Sequence, residues 1–240
     1  MCRRALHKQH LTELAVNYIL REKPSVAVFT GDATSTGQQS EFELAWTKLE
    51  PLVKSGIPVV YVPGNHDVYV KDAACRKALE NFYWKMWNGS RNFSTEPFLF
   101  KLGPLRFAVI DSAVPCSCFF SNGVMSAEST AFLQKEAAEH TAGSPLIYVG
   151  HFPLHWNRVL EAWRHGLRNA DQAVALLENH QIDLSLCGHI HKSMKWLDAR
   201  GRGEIVAGSV SRSGIVADIV YDAEKDYFDA SFVRLTEKVR

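Results

Sequence analysis

Ile57-Pro58-Val59-Val60-Tyr61-Val62-Pro63 runs directly into Gly64-Asn65-His66-Asp67. The apolar run reads as a buried strand and the tetrad as the turn that ends it. That turn carries an amide oxygen on Asn65, an imidazole on His66 and a carboxylate on Asp67. Gly31-Asp32, Gly150-His151-Phe152-Pro153 and Gly188-His189-Ile190-His191 each close an apolar, strand-like run in the same way. Ligands of open α/β sheets collect beyond the carboxyl ends of the strands. Four polar turns in that position predict one site assembled from four distant parts of the chain.

Around these turns the elements follow from periodicity. Leu11, Leu14, Ala15, Tyr18 and Ile19 share one helical face closed by Pro24, and Val26 to Phe29 is a short apolar strand. Phe42, Ala45, Trp46, Leu49, Leu52 and Val53 mark a second helix. This αβαβ alternation predicts a doubly wound parallel sheet for the first third. A helix over 72–87 follows, whose aromatics Phe82, Tyr83, Trp84 and Trp87 read as core or lid packing. Segments 98–102 and 105–110 then form a hairpin. It ends at Asp111, which either orients a ligand or caps the loop.

Loop 115–123, with Cys116, Cys118, Phe119 and Phe120, reads as a substrate-facing lid. Ser126 is an N-cap for a helix to about His140. Leu146 to Val149 is a strand delivering Gly150-His151. One or two helices across 158–180 lead to a strand over 182–187 that delivers Gly188-His189. The tail segments 193–197, 204–207, 214–221 and 227–235 read as short strands, an antiparallel run completing a second sheet. With no repeat or linker, residues 1–240 are expected to be a single domain.

Composition narrows the function classes. The 240 residues are 46% hydrophobic and 22% charged, ordinary for a globular protein with one core. A formal charge of +1 does not indicate a nucleic-acid or membrane-surface binder. Five cysteines (Cys2, Cys75, Cys116, Cys118 and Cys187) fall short of a disulfide scaffold and suit a reducing compartment. The basic start lacks an apolar core behind it, and no run is long enough to span a bilayer, so the chain reads as cytoplasmic. Neither a P-loop nor a G-x-S-x-G elbow occurs, and Ser209 and Ser211 lack a base at readable spacing.

Asp32, Asn65, His151, His189 and His191 form an oxygen-and-nitrogen set without cysteine, which suits Mn, Fe, Zn or Co. His189 and His191 share a face if extended, or diverge onto adjacent metals in a turn. A carboxylate such as Asp32 can bridge two ions, and two ions about 3.5–4 Å apart can hold a hydroxide for in-line attack on phosphorus. Histidine is the side chain that exchanges a proton near neutral pH, and His66 is placed to protonate a leaving group, its ring oriented by Asp67. Cys187 reads as a small buried hydrophobe, His155 as a surface residue, and Arg158, Arg164 and Arg168 as a solvated helix face.

In order and spacing the four motifs resemble the calcineurin-like metallophosphoesterase superfamily, and within it the branch of class III cyclic-nucleotide phosphodiesterases. The resemblance implies a four-layer αββα sandwich with a dinuclear centre of divalent transition metals. It makes Asp32 the bridging ligand, with Asn65, His151 and His189 completing one metal site, His191 in the other, and His66 on the phosphate and leaving group. The implied activity is hydrolysis of a small phosphorylated substrate, most naturally a cyclic nucleotide or another phosphodiester. A non-catalytic or one-metal binding module and a phosphomonoesterase are the alternatives.

The chain departs from the family pattern in one respect. Members begin with a strand carrying Asp-x-His, which supplies most of the second metal site, and no such pair precedes Gly31-Asp32. His7 and His10 fall on the first helix without a carboxylate neighbour and read as surface residues. The expectation is a domain that is N-terminally incomplete, its first strand missing and one metal site short of ligands; a natural one-metal variant is the alternative.

Overall fold

In the computed structural model, residues 8–115, 120–156 and 163–236 are described. Helix α1 (Gln9–Glu22) stops where Lys23 turns left-handed before Pro24. Strand β1 (Ala27–Phe29), α2 (Gln39–Lys54) and β2 (Val59–Tyr61) follow. Helix α3 (Ala73–Met86) starts at Asp72, whose carboxylate accepts from the Ala74 and Cys75 amides. Strands β3 (Phe98–Leu102) and β4 (Leu105–Val109) form the expected hairpin, paired antiparallel from Phe98–Val109 to Leu102–Leu105. The two-residue β5 (Gly123–Val124) precedes α4 (Ala127–Ala138), capped by Ser126 as expected. After β6 (Leu146–Val149) come β7 (Leu167–Arg168), α5 (Asp171–Glu178) and β8 (Leu184–Cys187). The tail contains β9 (Met194–Leu197), β10 (Gly203–Val206), a one-turn α6 (Val210–Ser213), β11 (Ile215–Asp222) and β12 (Tyr227–Arg234).

The principal sheet has the order β3-β4-β6-β8-β10-β9, parallel through its four central strands and antiparallel at both edges. Alternation in β4 and β6 explains why both faces are covered. Phe107, Val109, Ile147 and Val149 point into one core, with Val60, Leu79 and Phe82; Ala108, Ile110, Leu146 and Tyr148 point into another, with Leu133 and Leu177. The first core lies between the principal sheet and the layer of β1, β2, α2 and α3; the second lies under α4 and α5. This is a mixed α/β, αββα arrangement, as the motif order implied. Tyr61 and Phe82 are fully buried in a T-shaped contact, each such side chain contributing roughly 1.5–3 kcal/mol of burial.

Two expectations are corrected. The tail is not one antiparallel run: β9 and β10 join the edge of the principal sheet, with β10 parallel to β8, and only β11 and β12 form a hairpin by themselves. Register decides this, because pairing with β8 buries Ile205 and Val206 almost completely. In the first third, the doubly wound sheet is a single parallel pair, Ala27–Val59 to Phe29–Tyr61. The strands that follow β2 leave for the principal sheet, since the β3–β4 hairpin finds its partner in β6. Among the described residues β1 pairs only with β2. The call of a lid over 115–123 falls partly on residues outside those described, as do His7 and Arg158. No helix among the described residues is long and apolar enough to cross a membrane.

A buried ion pair locks β4 to α4. Arg106 Nη2 lies 2.7 Å from Glu136 Oε2 and donates to the Glu136 carbonyl at 3.0 Å, with Nη1 on the Glu139 carbonyl at 3.3 Å. The guanidinium thereby caps the carbonyl end of the helix. Because removal of one partner strands a buried charge, Glu136→Ala is expected to cost about 3–5 kcal/mol. The double change Arg106→Met with Glu136→Leu should recover most of that loss; urea denaturation of the three proteins measures it.

Candidate metal centre

The site begins with two glycines back to back. Gly31 has φ +92°, and a Cβ there would fall 2.4 Å from Gly64 N; a Cβ on Gly64 would fall 2.2 Å from Asp32 Oδ1. No side chain fits at either position, so the turns after β1 and β2 touch through backbone. Asp32, His189 and His191 also lie in the left-handed region, at φ +59°, +63° and +56°. Each costs on the order of 1–3 kcal/mol, a strain that clusters at functional sites.

Asp67 holds these turns in place. Oδ2 accepts from Asp32 N and Gly64 N at 2.9 Å and from the Tyr61 hydroxyl at 3.1 Å; Oδ1 accepts from Thr34 N and Thr34 Oγ1 at 3.0 Å. The carboxylate therefore does not orient the His66 ring, as its neighbouring position suggested. His66 Nδ1 lies 2.8 Å from the Ser35 carbonyl instead, and the ring stacks on Tyr69 at 5.7 Å. A backbone carbonyl is invisible to motif reading. Burial and the charge of Asp32 push the Asp67 carboxyl up, while the amides of Gly64 and Thr34 oppose them.

Four of the five expected metal ligands converge. Asn65 Oδ1 lies 3.1 Å from His151 Nε2 and 3.0 Å from His189 Nδ1; the two ring nitrogens are 3.2 Å apart, and Asp32 Oδ1 is 3.5 Å from His151 Nε2. His151 Nδ1 lies 2.6 Å from the Thr30 carbonyl, which can only accept, so in the neutral ring Nε2 is left with a lone pair. That lone pair faces the Asn65 oxygen, an arrangement that calls for a cation or a proton between them. Burial, and then His151, push His189 well below the ordinary histidine range, which disfavours a second proton on the His189 ring. Among the described residues no three His, Cys, Asp or Glu side chains form a metal-holding group unaided. With the Asn65 amide oxygen beside them, Asp32, His151 and His189 are the residues that would hold a divalent ion.

The fifth, His191, stands apart. Its Nε2 is 3.9 Å from Asp32 Oδ2, and its Nδ1 accepts from the Arg212 guanidinium at 2.6 Å. Asp32 Oδ2 is buried without a hydrogen-bond partner. Burial raises the Asp32 carboxyl, but His151, His191 and His66 outweigh it and hold the group below the usual carboxylate range. Beneath the site, Glu204 is fully buried and accepts from Leu154 N, His155 N and Ser185 Oγ, fixing the segment after His151. His155 is thus half-buried against Glu204 rather than on the surface, and Arg168 lies in β7 rather than on a helix. Cys187 is buried, as expected.

With this geometry in view, the likeness to known proteins has a clear meaning. The model of the calcineurin-like phosphoesterase family matches residues 6–193. The chain belongs to that family. A probable glycerophosphodiester phosphodiesterase, GpdQ, from Arcobacter nitrofigilis is 25% identical over 174 residues, or 72% of this chain. The match spans 59% of that relative's length. A dimetal phosphatase from Danio rerio superposes with a TM-score of 0.59 at 14% identity, over 94% of this chain and 82% of its own. A purple acid phosphatase from yellow lupin, Lupinus luteus, gives 0.58 at 14% identity, over 87% and 41%. At such identities the two structures speak for the fold alone.

Two expectations follow for this calcineurin-like phosphoesterase. Asp67→Asn turns an amide nitrogen toward donors on Asp32, Gly64 or Tyr61, and should cost about 3 kcal/mol of stability and weaken Mn(II) binding in a calorimetric titration. Asp111 Oδ1 caps Ala113 N, while burial pushes its carboxyl from 3.8 up to about 7. A raised folded value means that the native state binds the extra proton, so stability falls as pH rises from about 4 through about 7. Asp111→Asn keeps the cap and removes the titration. It should stabilise the chain at pH 8 and have little effect at pH 4, as read from denaturant midpoints.

Proposed function

We propose that this chain is a metal-dependent phosphoesterase acting on a phosphodiester. The observation that carries the reading is the convergence of Asp32 Oδ1, Asn65 Oδ1, His151 Nε2 and His189 Nδ1, with the His66 backbone N–H donating to Asp32 Oδ1 at 3.1 Å. These four residues would hold one divalent ion of the Mn, Fe, Zn or Co kind. When bound, such an ion polarises phosphoryl oxygens and acidifies a water toward neutral pH. The chain's own groups do the rest. His151 gives its Nδ1–H to Thr30 and keeps Nε2 turned to the centre; His66 gives its Nδ1–H to Ser35, so a second proton on its ring sits at Nε2, free to pass to the departing alcohol. Asp67 is a positioning residue acting through the two turns.

The preference for a diester, a cyclic nucleotide or another small one, draws on the phosphodiesterase relative and on the Asn-His-Asp turn. The buried thiols of Cys75 and Cys187 suit a reducing cytoplasm. On the far side of Asp32, His191 Nε2 lies 3.9 Å from Oδ2 while its Nδ1 accepts from Arg212, so the neutral His191 ring offers no lone pair to a second ion there. That observation favours, as a second reading, a one-ion binding module without turnover. The test compares bis(p-nitrophenyl) phosphate with p-nitrophenyl phosphate, using Mn(II)-loaded chain. The diester should be cleaved faster, chelation should abolish cleavage, and His66→Ala should lower kcat by about 100-fold or more with bound Mn unchanged. Folded, loaded protein that cleaves neither ester would leave the binding module; faster cleavage of the monoester would make the chain a phosphomonoesterase.

A further inference from the structure

The edge of the site beside His191 is lined by a residue that none of the four motifs contains. Arg212 lies on α6, a single turn that follows β10 and is held by the Ser213 N and Gly214 N bonds to Ser209 and Val210 carbonyls. Two further contacts brace it. The Ser211 carbonyl accepts from Lys8 N at 2.7 Å, just ahead of α1, and Gly214 takes φ +60° against Leu11. The turn is therefore anchored to α1, and its position relative to the site does not depend on Arg212 itself.

A guanidinium has five N–H donors and no acceptor. One of them meets His191 Nδ1 at 2.6 Å, and among the described residues no carboxylate pairs with the group. Four donors are left over at an exposed edge. At the other nitrogen of the His191 ring lies Asp32 Oδ2, buried and without a hydrogen-bond partner, 3.9 Å from Nε2. Since Arg212 can only donate, His191 Nδ1 must accept, and the proton of the neutral ring is on Nε2. A ring in that state presents no lone pair to an ion at Asp32 Oδ2. On this side of Asp32 the described residues thus provide a fixed guanidinium charge, where the opposite side provides four metal donors.

We propose that Arg212 binds substrate phosphate, taking one non-bridging oxygen of the ester while the other faces the Asp32, Asn65, His151 and His189 set; this rests on the phosphoesterase reading above. His191 is then a positioning residue that holds the guanidinium. A phosphodiester shares one negative charge between two non-bridging oxygens, and this arrangement would engage both. Guanidinium suits the task because its planar fork matches phosphate oxygens, and the contact is charge-assisted.

The test measures inorganic phosphate binding by calorimetry to the full, Mn(II)-loaded chain, with bound Mn counted by mass spectrometry in every sample. Arg212→Ala should weaken phosphate at least about tenfold with Mn unchanged, and Arg212→Lys should regain part of the loss. In the diester assay the same change should raise KM far more than it lowers kcat, the opposite of His66→Ala. Phosphate affinity and KM unchanged in Arg212→Ala would overturn the inference, whether or not the chain is an enzyme, and so would a wild-type chain that binds no phosphate. Phosphate held through Arg212 by a chain that cleaves no ester would uphold it and sink the phosphoesterase reading instead.

Discussion

Everything at the centre of this protein depends on where one buried carboxylate sends its hydrogen bonds. Asp67 accepts from the backbone of the turn after β1 and of the turn after β2, and from side chains of Thr34 and Tyr61. Backbone amides at the end of a strand have no ladder partner, and burying them unpaired would cost about 1–3 kcal/mol each. One anion answers two such amides from one turn and one from the other. The register between the turns is thereby set to within hydrogen-bond tolerance, and with it the separation of Asp32 and Asn65, the first two donors of the cluster.

Rigidity of this kind is bought with strain. Asp32, His189 and His191 sit at positive φ without being glycine, and Gly31 and Gly64 allow no Cβ between them. The left-handed conformations of Asp32, His189 and His191 carry strain for residues with a Cβ, so the packing of both cores must hold them. The cores are suited to that: the faces of β4 and β6 are buried above and below, and Val60, Tyr61 and Val62 leading into the Asn65 turn are almost wholly inaccessible to water. The polar layer continues below the cluster in Glu204, whose three hydrogen bonds fix the backbone beyond His151.

Much of this was legible in the chain itself. Ser126, Asp72 and the hairpin over 98–109 are local features, decided by capping or by alternation, and they stand where the sequence puts them. The four turns were legible because an apolar run followed by Gly and a polar residue is a local signature too. What could not be read depends on partners that are remote or have no side chain. Whether β10 pairs with β8 or with β11 is a matter of register across the fold, and the two-residue strands β5 and β7 have no period to detect. The carbonyls of Thr30 and Ser35 that orient His151 and His66 leave no mark on residue type. Arg212 lies 21 residues beyond His191, and only the turn of α6 brings the two together.

The donors of the cluster do not come from one sheet. Asp32 and Asn65 follow the parallel pair β1 and β2, whereas His151 and His189 follow β6 and β8 of the principal sheet, on the other side of the larger core. An ion held by all four, as proposed, would be a cross-link between the two layers of the sandwich, closing a loop through the hydrophobic interior. Its binding free energy would then be shared with the docking of one sheet on the other, since whatever binds only the native state stabilises it by mass action. Cohesion of the fold and occupancy of the centre would be two readings of the same equilibrium.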